Sequence, residues 1–193
     1  MGLTDSMRYF LGFLVTMGLI VLIIVLLVGG RGSSPKTTVK PLVLSEYANS
    51  ASAAQLEIDG PVVANQDHQS MKIEVDADTV TATVYKGYEN SVERSQTFSN
   101  TQEAYEVFLR ALQYDGFTLY NTNTPTDERG YCPQGNRYIM TFKNNGSDVR
   151  RTWTTSCGST IKGTYAGTLT PVTSLFKQQV PNYNTFTRGV NLY

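Results

Sequence analysis

The sequence predicts an α+β protein: an N-terminal transmembrane helix followed by an antiparallel β-sheet domain with two helices. Three observations predict it. Residues 9–28 form an unbroken apolar run. Most of the chain beyond residue 55 alternates apolar and polar residues between turn signals. Two stretches, near 101–114 and 172–180, carry helical spacing instead. Alternation with one polar side is the pattern of a half-buried antiparallel sheet. The expected division is a short cytoplasmic N-terminus at 1–8, a span at 9–28, a flexible linker at 29–41 and an α+β domain at 42–193.

The run YFLGFLVTMGLIVLIIVLLV holds no charge, and fifteen of its 20 residues are Leu, Ile, Val or Phe. At about 1.5 Å per residue it reaches roughly 30 Å, the thickness of a bilayer's hydrocarbon core. Arg8 and Arg31 bracket it, and Tyr9 and Phe10 suit the membrane interface. The predicted first partner is therefore the lipid bilayer, through residues 9–28. A cleaved signal peptide is the rival reading. The run exceeds the apolar core of such peptides, and Val28-Gly29-Gly30 is a poor small-residue cleavage site. Gly12 and Thr16 have the spacing of a small-residue helix contact, a pattern frequent by chance. Arg31, Lys36 and Lys40 outnumber Arg8 and the terminal amine, which alone leans toward a cytoplasmic C-terminal domain. The stretch GGRGSSPKTTVKP then reads as a tether.

Within the domain, Pro41–Ala54 suggests a short helix leading into a first strand with Leu56 and Ile58, ended by Asp59-Gly60-Pro61. Val62 and Val63 follow. Met71, Ile73 and Val75 alternate with Lys72, Glu74 and Asp76. After a turn at Asp76-Ala77-Asp78, Val80, Ala82 and Val84 alternate with threonines. A second turn at Lys86–Asn90 returns the chain through Val92 to Phe98, completing a meander. Asn100 as N-cap and Glu103 at N3 then predict a helix over 101–114, with Ala104, Val107, Phe108, Ala111 and Leu112 as its apolar stripe. Gln102, Glu103, Glu106, Arg110 and Gln113 are expected to face away. Gly116 suits the left-handed position past the helix end, with Phe117 folding back on Leu112. Strands are expected at 117–120, on either side of Asn145-Gly146, and at 160–166. A last helix, 172–180, is capped by Thr170-Pro171 and stopped by Pro181.

The two cysteines lie at the ends of the expected hairpin. Asn145-Gly146 signals a type I′ turn, which needs positive φ at both positions. It pairs Asn144 with Ser147, Lys143 with Asp148, Phe142 with Val149, Met140 with Arg151 and Tyr138 with Trp153. Rigid continuation sets Cys157 opposite Gln134, and a bend at Pro133 and Gly135 lets Cys132 swing to it. A disulfide across this separation would contribute about 3–4 kcal/mol in the loop-closure model and pin a long loop. A zinc site lacks ligands, because His68 is the single histidine and no Cys-x-x-Cys occurs. Two free buried thiols or a reactive thiol are the other readings. A disulfide implies an oxidising compartment. Seven lysines in the chain, with much Thr, Ser, Asn and Tyr, agree with an exported face. The expected localisation is a single-pass protein of the cytoplasmic membrane, its C-terminal domain outside.

Residues of catalytic type are not arranged for chemistry. His68 beside Asp67 reads as a solvated turn residue without a nucleophile motif. Asp127-Glu128 before Arg129 read as surface charges or as part of a recognition loop. Arg150 and Arg151 point to opposite faces of their strand. Tyr85, Tyr88, Tyr120, Tyr131, Tyr138 and Trp153 are read as packing, with an aromatic platform for a glycan or peptide as the alternative. Asn145-Gly146-Ser147 fits a glycosylation sequon that the turn itself explains. No cofactor, metal or catalytic residue is assigned. From residue 41 on, 12 basic and 15 acidic residues give a net charge near −3, no footprint for nucleic acid. The candidate recognition loop comprises Asp127, Glu128, Arg129 and Tyr131, with Trp153 beside it.

The stretches YENSVERSQTFSNTQEAYEVFLRAL, DERGYCPQGNRYIM and SLFKQQVPNY resemble small, uncharacterised single-pass envelope proteins of bacteria over most of residues 40–190. That resemblance implies a membrane-anchored envelope protein and brings no catalytic residues. Type IV pilins are similar in outline. However, Met17 stands where the pilin pattern has Glu, and Gly29, Gly30 and Pro35 break the helix that pilins continue. The expected function is an extracytoplasmic interaction module or envelope-complex subunit with a protein partner. A self-assembling, pilin-like subunit is the alternative, and a cell-wall hydrolase is a more distant one.

Overall fold

The first strand of the domain lies inside the sheet, not at its edge. β1 (Ser52–Asp59) runs between β2 (Gln69–Asp76) and β5 (Arg137–Asn144). With β3 (Thr79–Lys86), β4 (Ser91–Ser99) and β6 (Ser147–Thr155), the order is β4-β3-β2-β1-β5-β6, antiparallel throughout. The structure, a computed structural model, describes residues 15–19, 22, 42–48, 51–122, 124–158 and 163–192. The chain divides into two units, 1–41 and 42–193. In the first, residues 15–19 and Leu22 are helical. Among the described residues no helix is long and apolar enough to cross a membrane. The predicted N-terminus 1–8, the linker 29–41 and the rest of the predicted span 9–28 lie outside the described residues.

The meander forms where alternation and turn chemistry agree. Asp76 Oδ1 accepts the backbone N–H of Asp78 at 2.8 Å and of Thr79 at 2.6 Å, closing the β2–β3 turn with a side chain. The β3–β4 turn has positive φ at Gly87 (71°) and Asn90 (55°). One face of the sheet is apolar: Leu56 and Ile58, Met71, Ile73 and Val75, Val80 and Val84, Met140 and Phe142 are all buried. The helices α1 (Gln102–Tyr114) and α2 (Leu169–Gln178) supply the remaining core through Tyr105, Phe108, Leu109 and Leu112, and through Val172 and Phe176. A 3-10 turn, Leu44–Tyr47, leads into β1.

The structure corrects several expectations about helices. The N-cap of α1 is Thr101, whose hydroxyl accepts Ala104 N–H at 3.2 Å. Asn100 instead ties the helix start to the β2–β3 turn, donating to the carbonyls of Asp78 and Asp76. The buried stripe is rotated from the expected one. Tyr105 and Leu109 are fully buried, whereas Val107 is 67% exposed. Gln113 does not simply face away, because its Oε1 accepts Leu44 N–H at 2.7 Å. The predicted C-terminus holds. Gly116 has φ of 85°, Phe117 N–H donates to Leu112 O, Gly116 N–H to Gln113 O, and Phe117 is buried. The second helix begins at Leu169, so Pro171 lies inside its first turn, where its missing N–H costs nothing. A short α3 (Tyr183–Phe186) follows it.

Expected strands at 117–120 and 160–166 are reduced to one bridge between Tyr120 and Tyr165, residues 159–162 lying outside those described. The hairpin turn is as expected, with φ of 49° at Asn145 and 76° at Gly146. Its register holds for Asn144–Ser147 and Lys143–Asp148, then slips at Val149, so Phe142 pairs with Arg150, Ile139 with Trp153 and Tyr138 with Thr154. A bulge of one residue produces that slip, and no sequence signal marks Val149 for it.

Candidate functional site

The face of the sheet opposite the helices is polar, as alternation requires, but it is not bare. At the β5–β6 end it is covered by residues 124–136. Trp153, pointing out of β6, is fully buried there; its Nε1 donates to Pro125 O at 2.8 Å, and Tyr131 packs on its ring at 5.2 Å between centroids. Arg151, two residues before it on the same face, pairs with Glu128 at 2.7 Å, and Arg150 on the other face lies over the Tyr120 ring at 4.9 Å. Hydrogen bonding to Glu128 raises the Arg151 pKa further above its already high value.

Cys132 and Cys157 form a disulfide, with Cα atoms 5.6 Å apart. The shifted register sets Ser156 opposite Asn136, through Ser156 N–H to Asn136 O at 2.9 Å, and so Cys157 opposite Gly135. A turn closed by Gly135 N–H to Cys132 O at 3.1 Å then folds Cys132 back onto its partner. Gly135 is a steric requirement of this arrangement. A Cβ there would lie 2.6 Å from Ser156 Oγ and 2.7 Å from Cys132 Sγ. The disulfide therefore fastens the end of the covering loop to the end of β6.

Of the predicted recognition residues, Asp127 and Arg129 are exposed and paired with each other, Nη2 to Oδ2 at 2.5 Å. The Arg129 side chain and backbone both donate to Asp127, which brings its carboxyl down to about 2. Glu128 turns inward to Arg151, and its Oε2 is buried without a partner. Tyr131 is half-buried, and Trp153 is the platform beneath rather than part of the surface. Glu57, on the same face of β1, has its carboxyl pushed upward, first by burial, which the Lys72 charge opposes.

One cluster that sequence reasoning missed lies at the adjoining corner. Asp59 ends β1 opposite Arg137 on β5. Arg137 Nε and Nη2 reach Asp59 Oδ2 at 2.8 and 2.6 Å, and Nη2 also donates to Gly60 O at 2.8 Å. His68 Nε2 lies 3.1 Å from the other oxygen, Oδ1. His68 is 3% exposed and stacks under Tyr88, with ring centroids 4.1 Å apart, so it is not the solvated turn residue expected. Alternation alone assigns Asp59 and Arg137 to one face, but their pairing depends on β1 meeting β5 across nearly 80 residues, which no local signal encodes. Val62 N–H donates to Pro133 O at 2.7 Å, joining this corner to the stapled turn. Among the described residues, no group of three or more His, Cys, Asp and Glu is arranged to hold a metal ion. No protein-family model, curated protein or solved structure matches the chain.

Proposed function

We propose that this chain is a membrane-tethered interaction module, its α+β domain outside the cytoplasmic membrane and its 121–136 loop presented to a protein partner of the envelope. The observation that carries the reading is the Cys132–Cys157 disulfide, which closes this loop over a buried Trp153. Disulfides persist in oxidising compartments, and loops held on rigid sheets often carry recognition. The apolar run at 9–28 supplies the tether, and the resemblance to single-pass envelope proteins agrees with it. Asp127 and Arg129 at the exposed tip are the residues assigned to partner contact.

Two measurements test this. Maleimide labelling of intact cells should modify Cys132 and Cys157 only after reduction; two thiols labelled without reductant would overturn the extracytoplasmic assignment. A photo-crosslinking residue at position 127 of the full chain in membranes should give one discrete adduct with another protein. An adduct with a second copy would favour the self-assembling reading instead, and the absence of any adduct would overturn the assignment of the loop.

A further inference from the structure

His68 is the single histidine of the chain. Both of its ring nitrogens face acceptors: Nε2 is 3.1 Å from Asp59 Oδ1, and Nδ1 is 3.1 Å from the carbonyl oxygen of Pro61. A neutral imidazole has one N–H and one lone pair, so it satisfies one of these acceptors and aims a lone pair at the other. The doubly protonated ring donates to both. At 3% exposure the ring has little access to water that would relieve the mismatch.

We propose that His68 is a proton-operated latch that binds the Pro61–Val62 stretch to the end of β1 when charged and releases it when neutral. The order of release follows from the partners. Nε2–H···Asp59 is a contact with a carboxylate, stronger than a contact with a neutral carbonyl, so the neutral ring keeps the proton on Nε2 and gives up Pro61.

The groups around the ring come from three elements. Asp59 faces it from β1. Arg137 of β5 stands behind Asp59 and occupies the other carboxylate oxygen, so the ring and the guanidinium share one charge. Tyr88 of the β3–β4 turn stacks on the ring, and its hydroxyl accepts Val63 N–H at 3.0 Å and donates to Val63 O at 2.9 Å. Gly87 N–H donates to His68 O at 2.9 Å, which keeps the ring's own backbone fixed. What moves on release is confined to Pro61 and Val62, because Ala64 O keeps the N–H groups of Asp67 and His68 and Val63 stays bonded to the Tyr88 hydroxyl. That segment carries the bond from Val62 to Pro133, so opening the latch loosens the corner on which the disulfide-closed turn rests.

The test uses the full chain in lipid nanodiscs, labelled with ¹⁵N-histidine, so that one histidine gives one set of ring signals. Ring-nitrogen shifts report the charge state, and hydrogen exchange of a peptide spanning residues 60–68, corrected for the intrinsic effect of pH, reports the latch. In the wild-type chain, protection at Val62 should fall about tenfold between pH 5.5 and pH 8, in step with the ring signals. His68→Gln should show the lower protection at both values. A ring that changes charge while protection stays constant, or a ring that keeps one charge state across this range, would overturn the latch. The wild-type comparison decides the matter even if the variant fails to fold.

Discussion

Gly135 shows how a single missing Cβ determines the site. The side chain it lacks would occupy the space between Ser156 Oγ and Cys132 Sγ, at 2.6 and 2.7 Å. Gly135→Ala should therefore push apart the turn and the strand end and cost about 1–3 kcal/mol, as overpacking does, with the loss visible in thermal melting. Gly130, by contrast, has open space at its Cβ but a φ of 83°, so its demand is conformational. Reading the sequence identified Gly135 as a bend and the cysteines as a pair. It did not identify the close approach, because that depends on the slipped register of β6. His68 was misread for a related reason. Its neighbours Asn65, Gln66 and Asp67 are polar, but burial is decided by Asp59, Pro61 and Tyr88, which lie in other parts of the chain.

At the scale of elements, α1 carries two adjoining apolar rows, and the sequence reading takes Phe108 and Leu112 correctly from the buried row but completes the stripe from the exposed one. Ala104, Val107 and Ala111 form one helical row, and Tyr105, Phe108, Leu109 and Leu112 another. Pattern cannot rank them, but area can: the second row buries the larger side chains against the sheet. Tyr105 joins it because its hydroxyl finds Ser52 Oγ at 2.9 Å. Leu109→Ala should then cost about 2–5 kcal/mol, as fully buried leucines do. Val107→Glu, at a site 67% exposed, should stay within about 0.5 kcal/mol. Equal effects of the two, measured by chemical denaturation, would refute the observed rotation of the stripe. The strands β2, β3 and β4 were legible because both their alternation and their turns are local. The pieces at 117–120 and 163–166 were overread, since β-branched and aromatic residues there serve a single bridge and not a ladder.

For the molecule as a whole, the buried tyrosines set an alkaline limit. Burial pushes the Tyr105 hydroxyl up to about 12, with the Ser52 hydrogen bond opposing and Asp76 adding to the shift. Burial does the same to Tyr165, also to about 12, helped by Asp115. Both groups bind their protons more tightly folded than unfolded, where a tyrosine titrates near 10. Their contribution is thus complete below about pH 10 and is lost as pH rises toward about 12, on the order of 2 kcal/mol for each. Denaturant midpoints should fall over that interval, and Tyr105→Phe should flatten the fall. In this larger frame the class of fold was legible from composition and period, and the sheet order was not. Nothing in residues 52–59 announces that their second neighbour is residues 137–144.

That strand order bears on how the chain is made. β1 emerges from synthesis before β2, β3 and β4 and can pair with β2 at once, but its other ladder waits until β5 appears, nearly 80 residues later. In the interval the meander has two open edges, one of them destined for the centre of the finished sheet and rich in unpaired backbone groups. Any factor that escorts this protein must shield that edge of β1 until the hairpin arrives, and the final closure depends on a contact between distant parts of the chain, which is intrinsically slow.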